Sequence, residues 1–160
     1  MKKIKLFDPV TDKSEKNAIK RVLDSNFWAS GAGGGNVQKF EEKFRKYTNS
    51  KSCIAVNSGT AALNLALSMY NIKNMEVIIP SLSFVSTANA VIENGGIPKF
   101  ADIDENTLCI DPKKIVKVIS KKTKIILPVH FGGLTSNLEN ISNICKEKKI
   151  SLVEDAAHAS

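Results

Sequence analysis

From Lys51 onward, short apolar runs alternate with segments of helical period, and this alternation restricts the fold more than any other feature of the chain. The runs Ser52–Val56, Glu76–Ile79, Pro98–Ile103, Lys124–Leu127 and Ile150–Val153 read as strands. Between them, Thr60–Tyr70, Phe84–Glu93, Pro112–Ile119 and Ser136–Lys146 read as helices. Pro80, Asn94-Gly95-Gly96 and Pro128 punctuate the pattern, and Asp111-Pro112 is an N-cap followed by a first-turn proline. Short apolar strands alternating with helices predict an α/β fold, a mainly parallel sheet with helices on both faces.

The segment before Lys51 has a different rhythm. Asp12–Asp24 places Ala18, Ile19, Val22 and Leu23 on one helical face, and Val37–Tyr47 does the same with Val37, Phe40, Phe44 and Tyr47. Between them lies Gly31-Ala32-Gly33-Gly34-Gly35, which lacks Gly-x-Gly-x-x-Gly spacing and a preceding strand, so it reads as a flexible loop. The expected division is a helical segment over residues 1–50 and an α/β domain over residues 51–160. Only five residues follow Asp155, too few to cover the last strand with a helix, so the chain is expected to be the front part of a longer, truncated domain.

Composition narrows the class. Hydrophobic residues make up 42% and charged residues 24%, a globular balance. No apolar run approaches a membrane span, and the N-terminus has positive charge but no apolar signal region, so no membrane partner and a cytoplasmic location are expected. Cys53, Cys109 and Cys145 are few and far apart, which favours small buried hydrophobes over a disulfide or a metal site. The net charge of +7 sits in lysine clusters without interleaved aromatics, such as Lys121-Lys122-Thr123-Lys124. That pattern reads as a solvated face, and no nucleic-acid partner is expected.

Ligands of parallel α/β sheets collect at the carboxyl ends of the strands. Asn57-Ser58-Gly59-Thr60-Ala61-Ala62 lies at such a strand-to-helix turn, where first-turn N–H groups and the helix dipole favour an anion. Val153-Glu154-Asp155-Ala156-Ala157-His158 puts a carboxylate at another strand tip, able to pair with a protonated ring nitrogen. Pyridoxal phosphate has a phosphate and a ring nitrogen at opposite poles and would satisfy both. Neither motif decides alone: Ser-Gly-Thr starts helices that bind nothing, and strand-tip aspartates also cap helices or bind magnesium or ribose. Phe84 could stack on a planar ligand, but by default it is a core residue. His130, a lone histidine after a strand, is given no role.

The order of the motifs adds what no single one supplies. The chain from about Phe27 resembles the front part of the DegT/DnrJ/StrS family of sugar aminotransferases. The resemblance rests on Gly35–Glu41, Asn57–Leu63, Val77–Pro80 with Thr87–Val91, Asp102-Ile103-Asp104, Thr123–His130 and Glu154–His158, in that order. It implies a fold-type-I aminotransferase large domain with pyridoxal 5'-phosphate as cofactor and pyridoxamine phosphate as its amino-carrying form. It implies that Ser58, Gly59, Thr60 and Ala61 bind the phosphate region and that Phe84 stacks on the ring. Asp155 and His158 would be the catalytic residues present, Asp155 pairing with the ring nitrogen and His158 contacting the 3-hydroxyl side. The implied substrates are a nucleotide-linked keto sugar and an amino-acid donor, typically glutamate, and the implied assembly is a homodimer. The family's Schiff-base lysine belongs to a later segment, so the chain alone is expected to be inactive. Two alternatives stay open: a pyridoxamine-phosphate-dependent sugar dehydratase, with histidine in place of that lysine, and a non-catalytic truncated module.

Overall fold

The computed structural model describes residues 8–28 and 35–159. Of the expected loop over Gly31–Gly35 only Gly35 is described, as the N-cap of the helix that follows, and the positively charged N-terminus with Lys2-Lys3-Ile4-Lys5 lies outside the described residues. The chain forms two compact units, one running to Ala55 and the other from Val56.

The first unit holds α1 (Lys13–Asp24) and α2 (Asn36–Tyr47). Helix α1 starts at a capping box: Asp12 accepts from the Ser14 N–H, and Glu15 reaches back to the Asp12 N–H at 2.7 Å. On α2, Phe40 and Phe44 stack with ring centroids 5.7 Å apart, as their spacing of one turn predicts. Neither helix buries a residue among those described, and Ile19, Leu23, Phe40 and Tyr47 are exposed.

The second unit is the α/β domain. Its elements are α3 (Gly59–Ser68), β1 (Glu76–Pro80), α4 (Val85–Glu93), β2 (Ile97–Ala101), α5 (Pro112–Val118), β3 (Thr123–Ile126), α6 (Leu138–Lys148) and β4 (Ser151–Leu152). A single 3₁₀ turn, Phe131–Gly133, follows β3. The four strands form one parallel sheet in the order β2-β1-β3-β4. The register pairs Pro80 with Ala101, Ile78 with Ile126, and Ile126 with Leu152, which aligns the carboxyl ends on one edge.

The period of two along each strand sorts side chains between two cores. Val77, Ile79, Ile125 and Leu127 face Leu63 and Leu67 of α3 and Ala90 and Val91 of α4. Ile78 and Ile126 face the other way, against Ile115 of α5 and Ile141 and Cys145 of α6. Each fully buried Ile or Leu contributes about 1.5–3 kcal/mol through lost apolar contact with water. Helices therefore cover both faces, as the alternation predicts.

One expected strand does not form. Residues Ser52–Val56 join no ladder among the described residues, and Ile54 stands 69% exposed. An apolar run supplies side chains for a strand, but a strand also needs a neighbour for its backbone groups. Here the Ala55 N–H donates instead to the Glu41 carboxylate, at 2.8 Å. Strand β2 also ends at Ala101, two residues early, and Ile103 instead pairs with Ile110 in an isolated antiparallel bridge.

Candidate functional site

Strand order reverses at β1: the chain goes from β1 to β2 on one side, then crosses to β3 on the other. The crevice at the carboxyl ends of such a switch point is where open α/β sheets bind ligands. A cleft of about 430 Å³ lies there, lined by Gly59, Thr60 and Leu63 from α3, Ser83, Phe84 and Ser86 from the start of α4, Phe131 after β3, and Asp155, Ala157 and His158 after β4. Two sequence motifs nearly a hundred residues apart thus share one cavity.

The α3 end of the cleft is a helix start. Ser58 is the N-cap, its hydroxyl oxygen accepting the Ala61 N–H at 3.1 Å. Among the described residues, the N–H groups of Gly59 and Thr60 have no hydrogen-bond partner. These two groups and the positive end of the helix dipole are free to meet an anion. Ser58 and Ala61 belong to the same turn but do not line the cleft, and their mutual bond satisfies the cap.

The opposite end carries the carboxylate. Asp155 extends the sheet beyond β4 through a parallel bridge to Val129. Its N–H donates to the Pro128 carbonyl at 3.0 Å, and its own carbonyl accepts the His130 N–H at 3.1 Å. The side chain is half-buried. Oδ2 accepts from the Thr87 hydroxyl at 3.3 Å, and Oδ1 from the Ala157 N–H at 3.2 Å. Phe84, the N-cap of α4, projects into solvent at 73% exposure instead of packing in the core, so its ring face is available at the cleft wall.

His158 is held by the turn after β3. The Gly132 N–H donates to its Nδ1 at 3.2 Å, and its ring meets the edge of Phe131 at a centroid distance of 5.9 Å. Because a backbone N–H only donates, Nδ1 is the acceptor, and the neutral imidazole carries its proton on Nε2. Gly133 has φ +86°, and a Cβ there would stand 2.9 Å from the His158 carbonyl oxygen. Glycine is therefore required at that close approach.

His130 is structural. It is buried, and its Nδ1 accepts the Ser136 N–H at 3.2 Å while Nε2 reaches the Glu154 carboxylate at 3.0 Å. A second cleft of about 370 Å³, between the starts of α5 and α6, contains Asp104 and Asp111, but their carboxylates already accept nearby backbone N–H groups from Asn106 and Lys113. Cys109 and Cys145 are buried and Cys53 is half-buried, and burial pushes the Cys145 thiol pKa up. Among the described residues no helix is long and apolar enough to cross a membrane.

Sequence reasoning missed Ser83, Thr87, Phe131 and Gly132. The available signal was Thr87 itself, a hydroxyl on the buried side of α4 together with the apolar Ala90 and Val91.

The fold and the cleft define a class: an α/β domain with a ligand-sized, mainly apolar cavity at its switch point that carries a few polar groups. The chain belongs to the DegT/DnrJ/EryC1/StrS aminotransferase family, whose model matches residues 9–160. It is similar to the spore coat polysaccharide biosynthesis protein SpsC of Bacillus subtilis (strain 168), with 42% identity over 152 residues, covering 94% of this chain and 38% of that protein. Among solved structures it is similar to 3-amino-5-hydroxybenzoic acid synthase, with a TM-score of 0.89 and 34% identity, covering 94% of this chain and 39% of that one. It is also similar to GDP-4-keto-6-deoxymannose-3-dehydratase with a trapped PLP-glutamate geminal diamine, with a TM-score of 0.89 and 31% identity, covering 98% of this chain and 42% of that one. The fold-type-I aminotransferase architecture expected from the sequence is the one observed, and the chain spans about two-fifths of the length of these relatives.

Proposed function

We propose that this chain carries the phosphate- and ring-binding part of a pyridoxal-phosphate site in an enzyme that moves an amino group from glutamate to the keto group of a nucleotide-linked sugar. One observation carries the reading: N–H groups at Gly59 and Thr60 that have no partner among the described residues and the Asp155 carboxylate line the same cleft, with an exposed aromatic face at Phe84. The donors and acceptors fit the cofactor pole for pole. Gly59 and Thr60 bind the phosphate through backbone N–H groups, with Ser58 and Ala61 holding the turn that aims them. Phe84 supports the ring face. Asp155 accepts a hydrogen bond from the ring nitrogen and keeps it protonated. His158 offers its Nε2 proton to the 3-hydroxyl side. When bound, pyridoxal phosphate supplies the electron sink for amino transfer.

Several further features belong to the same proposal. The nucleotide-linked keto sugar and the glutamate donor are supported by the relatives' chemistry. The enzyme is a cytoplasmic homodimer that uses neither nucleic acid nor a membrane as partner. The resemblance assigns the Schiff-base lysine to a position after Ser160, so the 160-residue chain by itself performs no transamination. A second reading, sugar dehydration with pyridoxamine phosphate, is supported by the dehydratase among the structural relatives. Lysine at the later position selects the first reading and histidine the second.

The test is titration of the purified chain with pyridoxal phosphate, followed by absorbance and thermal shift. A saturable spectral change, a raised Tm and competition by inorganic phosphate are expected. Absence of both signals overturns the cofactor site.

A further inference from the structure

The geometry points to Thr87 as a positioning residue for Asp155, with Ser83 as the hydroxyl behind it. The inference rests on the reading of Asp155 as the ring-nitrogen partner. Thr87 is fully buried, yet it presents a hydroxyl where α4 packs against the sheet. Its Oγ1 lies 3.3 Å from Asp155 Oδ2 and 2.7 Å from Ser83 Oγ. An ionised carboxylate only accepts, and a hydroxyl has one hydrogen to give. Thr87 therefore donates to Asp155 and receives from Ser83. Ser83 could instead donate to the Phe84 carbonyl at 3.3 Å, but the bond to Thr87 is the shorter. Hydroxyls aligned in one direction strengthen one another, and here the chain ends on the carboxylate.

This arrangement does two things for the cleft. It holds Oδ2 while the Ala157 N–H holds Oδ1, so the plane of the carboxylate is clamped from both sides. A ring N–H needs an acceptor in a defined direction, and the clamp supplies that direction. It also links two walls of the cleft. The Thr87 N–H donates to the Phe84 carbonyl at 3.0 Å, so the residue that orients Asp155 and the residue that supports the ring face occupy a single turn of α4. The spacing between ring support and nitrogen partner is thus fixed within one element.

The test uses the 160-residue chain and pyridoxal phosphate labelled with ¹⁵N in the ring. Thr87→Val removes the hydroxyl and keeps the shape. It is expected to weaken binding roughly tenfold, the usual scale for one hydrogen bond to a charged group, and to move the ring ¹⁵N resonance toward its unprotonated position. Thr87→Ser restores both readouts. Ser83→Ala shifts the resonance in the same direction by a smaller amount. Asp155→Asn marks the limit of the effect. A lowered Tm in Thr87→Val with the wild-type ¹⁵N resonance would mean that Thr87 only packs, and would overturn the inference. If Thr87→Val does not fold, the resonance in Ser83→Ala decides, and an unmoved signal overturns the relay. Failure of the wild-type chain to bind pyridoxal phosphate removes the cofactor reading itself, an outcome distinct from wild-type binding with indifferent variants.

Discussion

The His130 N–H donates to the Asp155 carbonyl oxygen at 3.1 Å, so the residue that extends the sheet beyond β4 is tied through its backbone to the loop after β3. The two side chains then part. Asp155 lines the cleft, and the His130 imidazole turns into the protein to meet Glu154 and Ser136. Replacing His130 with Phe removes both ring partners and leaves the buried Ser136 N–H unsatisfied. The expected cost is about 2–4 kcal/mol of stability, from one lost hydrogen bond to a charged group and one orphaned donor. Denaturant unfolding measures it. A cost near zero would show that the imidazole contributes nothing to holding this edge.

Asp155→Asn separates the two poles of the cleft. The amide keeps the size of the side chain but presents a neutral acceptor to the ring nitrogen. Competition of inorganic phosphate against the helix α3 end should stay near wild type, because Gly59 and Thr60 act through backbone groups. In an enzyme that contains this segment, turnover should fall by orders of magnitude, since an uncharged partner no longer holds the ring nitrogen protonated. Turnover close to wild type would remove the electron-sink role of Asp155.

Much of the fold was legible because the sheet is built from short apolar runs stopped by Pro80 and Pro128, with cores that follow a period of two. Asp111 and Pro112 announced the start of α5 for local reasons, and the structure has Asp111 accepting the Lys113 N–H there. Thr60 was legible as part of a helix start, and Phe84, Asp155 and His158 as aromatic or polar groups just past strand ends. What escaped was contact over distance. Thr87 meets Asp155 across 68 residues and Gly132 meets His158 across 26, and no local pattern encodes such a pairing. The run Ser52–Val56 misled for the complementary reason: its side chains suit a strand, but periodicity is silent about whether a ladder partner exists.

Gly132 and Gly133 give a paired test of how His158 is placed. Both have positive φ, so alanine is strained at either by about 1–2 kcal/mol. Only at Gly133 does the added Cβ meet backbone, 2.9 Å from the His158 carbonyl, whereas at Gly132 the space is open. The larger loss of thermal stability is therefore expected at Gly133, and Gly133→Ala should also weaken pyridoxal phosphate binding by a larger factor, because it pushes on the segment that carries His158. Parallel titrations of the two variants measure this. Equal affinities would show that the segment yields without disturbing the site.

Glu76 gives a prediction on the opposite edge of the sheet. At the start of β1 its carboxylate accepts hydrogen bonds from the Ser120 and Thr123 hydroxyls and from Lys99 Nζ at 3.1 Å. The bond from Ser120 is the largest cause holding its pKa below the ordinary glutamate value, followed against it by desolvation and then by the Lys99 and Thr123 contacts in its favour. A carboxyl whose folded pKa is depressed contributes stability above its unfolded pKa and loses it as pH falls through the folded one. Stability of the chain should thus decline on acidification through and below the normal glutamate range. Glu76→Gln should remove this group's share of that decline while lowering stability at neutral pH by about 1–3 kcal/mol, the scale of hydrogen bonds to a charged group. Unfolding measured across acid pH for both proteins checks the sign. A variant whose stability falls with pH as steeply as wild type would show that the Glu76 contacts do not anchor the loop before β3.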